Sequence, residues 1–257
     1  MDTPKIALVT GANAGIGKET ALALAKQGFQ VWMLCRDASK GEEARADIQQ
    51  QSQNKNIQLL LADLSNQQQI RQVIENLKAQ ISHLDVLVNN AGFMGYLQRT
   101  TTAEGIESTV AVNHLAYFLI AHLLLDKLKA APQGRIVNVS SVMQKFARLD
   151  FDNLQFEKRY KPMQAYSVTK LMNVIFTKTL ARRLAQTSVT VNCLDPGTVN
   201  TYITKTYSRF FRFLHDLSRP FLLTPAQGAD TSIYLATSPE VSNLSGEFFF
   251  KRKKAKV

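Results

Sequence analysis

Val9-Thr10-Gly11-Ala12-Asn13-Ala14-Gly15-Ile16-Gly17 joins an apolar run, Ile6-Ala7-Leu8-Val9, to a helical pattern that begins at Lys18. A continuous apolar run is how a strand buried on both faces of a parallel sheet reads. Three glycines directly after it let the chain turn sharply and lie against a ligand with no Cβ in the way. The following helix, with Ile16, Thr20, Leu22 and Leu24 among alanines, aims its unpaired N–H groups and positive dipole end at the same place. An anionic diphosphate can sit there without a dedicated Lys or Arg. The spacing is G-x-x-x-G-x-G rather than G-x-G-x-x-G, and a plain strand-to-helix turn without a ligand is the alternative.

Outward from this stretch, apolar strand-like runs recur at 6–10, 30–35, 57–61, 84–89, 135–140, 189–194 and 247–250. The segments between them, at 17–27, 39–51, 66–81, 106–128, 165–185 and 225–237, carry apolar residues at three- and four-residue spacing. Such alternation requires right-handed crossovers and helices on both faces of the sheet. The predicted fold is α/β, a doubly wound Rossmann fold with a seven-stranded parallel sheet. No internal repeat, low-complexity segment or linker divides the 257 residues, so a single domain over 1–257 is expected.

A composition of 45% hydrophobic and 20% charged residues suits a globular enzyme and excludes a disordered or collagen-like chain. The first strand begins by Lys5, which leaves no room for a signal peptide, and no apolar run is long enough to span a bilayer; a cytoplasmic location is expected. Cys35 and Cys193 each end a buried-strand run, which favours free thiols in a reducing compartment. His83, His114, His122 and His215 show no ligand spacing, so no metal is expected, and His114 and His122 read as helix-packing residues. Of the net charge of +11, five positive charges lie in Lys251-Arg252-Lys253-Lys254-Ala255-Lys256-Val257. A solvated basic tail accounts for them, and with no nucleic-acid-binding motif beside it no nucleic-acid partner is expected.

The second strand ends in Leu34-Cys35-Arg36-Asp37, where an acidic residue would take the adenosine ribose hydroxyls. Cys35 holds that place and Arg36 follows. A guanidinium clamps a 2′-phosphate that a carboxylate would repel, which favours NADP(H) over NAD, against a solvated strand-end arginine as the alternative. Asp63-Leu64 follows the third strand. Its carboxylate either accepts from the adenine amino group or caps the helix starting near Asn66, a job for which Ser65 competes. Asn89-Asn90-Ala91-Gly92 suits a crevice floor where backbone approaches a ring, or a polar turn. Ser140-Ser141 closes the fifth strand, and Tyr166-Ser167-Val168-Thr169-Lys170 places a phenol and an ammonium on one helix face. An adjacent ammonium stabilises the phenolate and brings a group that normally titrates near ~10 toward neutral pH. A surface pair has the same spacing.

These motifs, in this order, resemble the short-chain dehydrogenase/reductase family: 10–17, Asp63, 89–92, Asn113, Ser140-Ser141, Tyr166, Lys170 and Pro196-Gly197 span nearly the whole chain. More narrowly, the chain is similar to the retinol dehydrogenase-like branch in residues 10–21, Cys35-Arg36-Asp37, Val112-Asn113-His114-Leu115, Leu180-Ala181-Arg182-Arg183-Leu184, Asp195-Pro196-Gly197-Thr198-Val199 and the long segment between Ser141 and Tyr166. The resemblance implies an oxidoreductase that moves a hydride between the nicotinamide of NADP(H) and a carbonyl or alcohol carbon. It assigns Ser141, with Ser140 as the alternative, to the substrate carbonyl, Tyr166 to general acid/base work, Lys170 to the nicotinamide ribose and the tyrosine pKa, and Asn113 to a proton relay. The cofactor residues it implies are Gly11, Asn13, Ala14, Gly15, Ile16, Arg36, Asp63, Leu64, Asn90, Ala91, Gly92, Tyr166, Lys170, Pro196, Gly197, Val199 and Thr201. It also implies a homodimer or homotetramer built on 106–128 and 165–185. Members of this branch often carry a membrane anchor, which this sequence does not show.

Two segments are expected to shape the substrate site, 143–162 and 202–223. In the second, Phe210, Phe213, Leu214 and Leu217 share a face, with Arg209, Arg212, Asp216 and Arg219 mostly on the other. A lid over an apolar substrate, an interfacial helix giving peripheral membrane contact, and an ordinary packed helix all suit that pattern. The first, with Phe146, Leu149, Phe151, Leu154, Phe156 and Tyr160, would form the opposite wall. The expected substrate is therefore an apolar aldehyde, ketone or alcohol such as a retinoid, apocarotenoid or lipid-derived aldehyde. Reduction of a carbon–carbon double bond and a catalytically silent NADP-binding sensor are the alternatives, and the intact Ser-Tyr-Lys set weighs against the sensor.

Overall fold

A computed structural model describes residues 4–199 and 222–257. Seven parallel strands, β1 (Ile6–Thr10), β2 (Gln30–Cys35), β3 (Ile57–Leu61), β4 (Val86–Asn89), β5 (Arg135–Val139), β6 (Thr190–Asp195) and β7 (Phe248–Phe250), stand in the order β3-β2-β1-β4-β5-β6-β7. β1 pairs with β2 on one side (Ile6 opposite Gln30) and with β4 on the other (Ala7 opposite Val86), so the winding reverses between β1 and β4. A crevice opens at that reversal, beyond the carboxyl ends of the strands.

Side chains of β1 alternate between two cores, as the period of two demands. Leu8 joins Leu34, Ile74, Leu87, Ile120 and Val191 on one face, and Val9 joins Leu24, Met33, Ile48, Val88 and Phe249 on the other. Around the sheet run α1 (Gly15–Lys26), α2 (Ala38–Ser52), α3 (Gln67–Gln80), a broken helix described below, α7 (Pro162–Arg183) and α8 (Pro225–Thr237). Local sequence explains several ends. Asp37 caps α2 by accepting from the Lys40 N–H, Asn66 caps α3 by accepting from the Gln69 N–H, and Thr224 with Gln227 forms a capping box ahead of Pro225.

The structure departs from the sequence reading in two elements. The segment 106–128 is not one helix: α4 (Ser108–Val110) runs into a π-helical turn at Ala111–Leu115, then α5 (Ala116–Leu123), and Leu124 leaves helical geometry (φ −102°, ψ 4°) before α6 (Leu125–Ala130). The helix starts at Ser108 because the Glu107 carboxylate caps it, accepting from the Val110 N–H at 2.8 Å. An eighth strand, β8 (Lys253–Lys254), pairs antiparallel with β7 across a turn in which Lys251 and Arg252 both take positive φ (49° and 60°). The basic tail is exposed but not loose. The Arg252 guanidinium binds both carboxylate oxygens of Asp230, and Lys254 Nζ lies 2.9 Å from Glu247.

His114 and His122 do pack on helices. The His114 ring bonds Asn173 Oδ1 at 2.9 Å, with burial lowering its pKa, and His122 stacks on Phe118. Cys35 and Cys193 are buried free thiols. Among the described residues no helix is long and apolar enough to cross a membrane.

Candidate active site

The glycine turn is built by the chain's own hydrogen bonds. Thr10 Oγ1 accepts from the N–H groups of Asn90 and Ala91 (2.9 and 3.0 Å), and Asn90 Nδ2 donates to the Thr10 carbonyl (2.9 Å), which locks the loop after β1 to the loop after β4. Gly11 and Gly15 hold φ of 66° and 57°, and a Cβ on Gly17 would lie 2.3 Å from the Gly11 carbonyl oxygen and 2.4 Å from Asn90 Nδ2. Ala14, at the N-cap of α1, offers no side-chain cap. The N–H groups of Gly15, Ile16 and Gly17 therefore face outward with no intrahelical acceptor, the arrangement that receives an anion.

From this turn a cleft of about 440 Å³ extends across the carboxyl edge of the sheet. It brings together Gly11, Asn13, Ala14, Gly15, Ile16, Arg36, Leu64, Asn90, Ala91, Gly92, Ser140, Tyr166, Lys170 and Pro196 of the residues singled out in the sequence, without Ser141 or Asn113 in its lining, and adds Lys40 and Phe93. At one end Arg36 is exposed. Lys40 is paired with Asp37 at 3.1 Å, and that pairing, with the Lys40 N–H as the larger cause, holds the Asp37 carboxyl below its usual range. Cys35 lines this end too, its thiol pushed up to about 11 by burial, against the lowering influence of the Ala12 and Asn13 N–H groups.

At the other end, Tyr166 and Lys170 share the inward face of α7, with Lys170 Nζ 5.5 Å from the centre of the Tyr166 ring. The ammonium donates to the Val139 carbonyl at 3.0 Å and is 97% buried by the 3% exposure of its residue. Burial lowers its pKa to about 8, opposed by the charge of Asp195. A Cβ on Gly92 would stand 3.2 Å from Asn113 Oδ1, a tight contact, and 3.6 Å from Lys170 Nζ, an ordinary one, so Gly92 lies where these groups converge.

The two serines separate by their bonds. Ser140 is buried and its hydroxyl donates to the Lys170 carbonyl at 2.8 Å, strapping β5 to α7. Ser141 caps a 3₁₀ turn, Val142–Phe146, by accepting from the Met143 N–H at 3.3 Å, which leaves its own hydroxyl hydrogen to donate elsewhere. Asn113 sits in the π-helical turn. Its side chain brackets Phe93, accepting from the N–H (3.0 Å) and donating to the carbonyl (2.8 Å), and its own carbonyl accepts from Asn173 Nδ2 at 2.8 Å. The side-chain amide of Asn113 is thus spent on Phe93 and Thr169.

Other expected residues lie off the cleft wall. Asp63 Oδ1 accepts from both the N–H and the hydroxyl of Ser65 at 2.8 Å, so this carboxylate shapes the loop, and neither Asp63 nor Ser65 caps α3. Gly197 (φ 81°) and Val199 form the far rim, where Val199 pairs with Leu223 and rests on Gly228 beside Ile16. Thr201 and 202–221 lie outside the described residues. The wall expected from 143–162 divides: Phe146 and Phe151 are 67% and 79% exposed, while Phe156 is buried with Leu149 and Tyr160 around Val110, Ala165 and Val168. Tyr96, Leu97, Val142 and Met163 are exposed apolar side chains as well. Sequence reasoning passed over Lys40, Phe93 and Asn173, which carry no motif of their own; only the fold brings them to the site.

A diphosphate-ready helix start, a crevice at the winding reversal and a tyrosine–lysine pair beside a serine define an oxidoreductase that uses a nicotinamide dinucleotide. The sequence profile of the short chain dehydrogenase family matches residues 5–210, and the chain belongs to that family. Mouse retinol dehydrogenase 11 is 44% identical over 245 residues, covering 95% of this chain and 77% of that protein. Human retinol dehydrogenase 12 is 41% identical over 253 residues, covering 98% and 79%. A solved protein from Mycobacterium paratuberculosis superimposes with a TM-score of 0.75 at 30% identity over 96% of this chain and 82% of its own. A short chain dehydrogenase from Escherichia coli CFT073, solved with NADPH, shares the fold at a TM-score of 0.78 and 23% identity, covering 97% of each chain.

Proposed function

We propose that this protein is an NADP(H)-dependent oxidoreductase of apolar aldehydes, ketones or alcohols, of the retinoid, apocarotenoid or lipid-aldehyde kind. The observation that carries the reading is the convergence of Tyr166, Lys170 and Gly92 at the end of a cleft that starts at an uncapped helix N-terminus. The residues fit the cofactor, since the cradle at Gly17 has no room even for a methyl and the cleft runs from it to the tyrosine. The N–H groups of Gly15 and Ile16 would hold the diphosphate, Arg36 the 2′-phosphate, Lys170 the nicotinamide ribose, and Pro196 with Val199 the carboxamide side. The nicotinamide supplies or accepts the hydride when bound.

The chain's own work is positioning and proton transfer. Ser141 donates its hydroxyl hydrogen to the substrate oxygen and stabilises the charge that develops there, and Tyr166 delivers the proton to that oxygen in reduction or removes it in oxidation. The Lys170 ammonium, beside the Tyr166 ring, favours the phenolate and so eases that transfer. The exposed apolar side chains of Tyr96, Leu97, Val142, Phe146 and Phe151, together with similarity to retinol dehydrogenases, support an apolar substrate. The test is NADPH oxidation against carbonyls running from short and polar to long polyenes, with Tyr166→Phe alongside. Turnover that favours long apolar carbonyls and is abolished by the substitution, with NADPH affinity retained, is expected. Turnover that survives Tyr166→Phe would refute the assignment.

A further inference from the structure

Asp195 ends β6 and is 6% exposed, yet the chemistry above gives it no part. Its Oδ1 accepts from the Gly197 N–H at 3.1 Å, and the backbone N–H of Val142, the residue after Ser141, is close enough to help lower its pKa. The neighbouring strand brings it there: Val139 stands opposite Leu194, and the Ser140 N–H donates to the Leu194 carbonyl at 2.7 Å, so Asp195 lies where β5 turns toward Ser141. The Val139 carbonyl in that same register accepts from Lys170 Nζ. One buried carboxylate therefore stands among three separate parts of the site.

We propose that Asp195 is a positioning residue of this site: its carboxylate fixes the turn at Gly197 through the N–H there, stands beside the end of β5 that leads to Ser141, and supplies the counter-charge to the buried Lys170 ammonium. The proposal rests on Lys170 holding the nicotinamide ribose, as set out under the proposed function. Pro196 already fixes one backbone angle between Asp195 and Gly197, so the hydrogen bond across it closes a small rigid loop. Burial alone drives Lys170 toward the neutral amine, and the charge of Asp195 opposes it. The relation is reciprocal. Burial pushes the Asp195 carboxyl up, and the N–H groups of Gly197 and Val142, then Lys170 and Lys145, pull it back. The other groups against the ammonium are the rings of Tyr166 and Tyr117, at 5.5 and 5.9 Å, and the Val139 carbonyl.

NADPH affinity measured by fluorescence between pH 6 and 10 tests this without any substrate, using the full chain, Asp195→Asn and Asp195→Glu. Affinity that depends on the Lys170 ammonium falls as pH rises through the lysine pKa. Without the opposing charge that fall should begin at a pH lower by roughly one unit in Asp195→Asn and stay in place in Asp195→Glu. Asp195→Ser, a second neutral variant that still accepts a hydrogen bond, carries the same expectation should the asparagine variant fail to fold. Neutral variants that weaken binding equally at every pH, with the alkaline fall unmoved, would overturn the proposal alone. An unsubstituted chain that fails to bind NADPH would overturn the cofactor reading and the proposal with it.

Discussion

On the proposed function, Arg36 is the residue that would decide between two dinucleotides that differ by one phosphate. It lines the adenosine end of the cleft, is exposed, and has no ion pair among the described residues, whereas Lys40 beside it is engaged by Asp37. Asp37 in turn is committed to capping α2 through the Lys40 N–H at 3.1 Å. Arg36 is thus the cation left to meet a 2′-phosphate, and Asp37 does not point a spare carboxylate at it. A hydrogen bond between charged partners contributes about 1.5–3 kcal/mol, and exposure puts Arg36 toward the lower part of that range. At about 2 kcal/mol, Arg36→Leu should raise the Kd for NADPH roughly 30-fold while leaving that for NADH within about two-fold. Salt gives an internal check, because an exposed pair is screened: the gap between the two proteins should narrow as ionic strength rises. Fluorescence titration of both dinucleotides into both proteins measures all of this. Equal weakening of NADPH and NADH, or no weakening of either, would refute the reasoning, the first by making Arg36 structural and the second by making it a bystander.

Gly17→Ala should cost about 1–3 kcal/mol by overpacking and remove NADPH binding, because its methyl meets the Gly11 carbonyl and Asn90. Gly28→Ala, at φ 82° in open space, should cost stability and leave NADPH binding intact; equal loss of binding in both would undo the steric account. Lys170→Met should be more stable than the unsubstituted chain at pH 7, since the lysine pKa falls from 10.5 unfolded to about 8 folded. The unfolded chain then binds more protons between those values, so the stability of the unsubstituted chain, relative to the variant, should climb with pH across that window by up to about 3 kcal/mol in urea titrations. Gln53, exposed at the end of α2 with φ 56°, should tolerate glycine with a gain of about 1 kcal/mol, or about 2–4 °C in melting temperature, and no change in NADPH binding.

How far the fold could be read in advance depended on burial. β1 and β2 begin and end where their apolar runs do, since a strand covered on both faces has no polar position to blur its limits. The same rule fails at 106–128. An apolar stretch that touches neighbours all round has period enough for a helix but does not announce where hydrogen bonds shift from four residues to five, and the shift at Ala111–Leu115 is decided by Asn113 gripping Phe93 from another loop. β8 was invisible for the opposite reason. Lys251 and Arg252 are poor residues for a turn with positive φ, and the hairpin's partners are Asp230 on α8, which binds Arg252, and Glu247 just before β7, which binds Lys254, so composition reads only as charge.

The site shows the same division between motif and context. Tyr166 and Lys170 were legible because one helix turn carries both, and the glycine turn because three glycines follow a strand within seven residues. Ser140 and Ser141 are chemically identical in sequence, and only the bond from Ser140 to the Lys170 carbonyl shows which hydroxyl is already spent. Asp63 and Asp195 make the point in mirror image. Asp63 matched a motif and turns its Oδ1 to Ser65, while Asp195 reads as the residue before a Pro-Gly and accepts from the Gly197 N–H where β6 runs beside the strand whose carbonyl holds the Lys170 ammonium. A carboxylate's worth is set by what desolvates and surrounds it. Spacing along the chain therefore finds groups that act within one element, and those that act between elements emerge only when the strands are laid side by side.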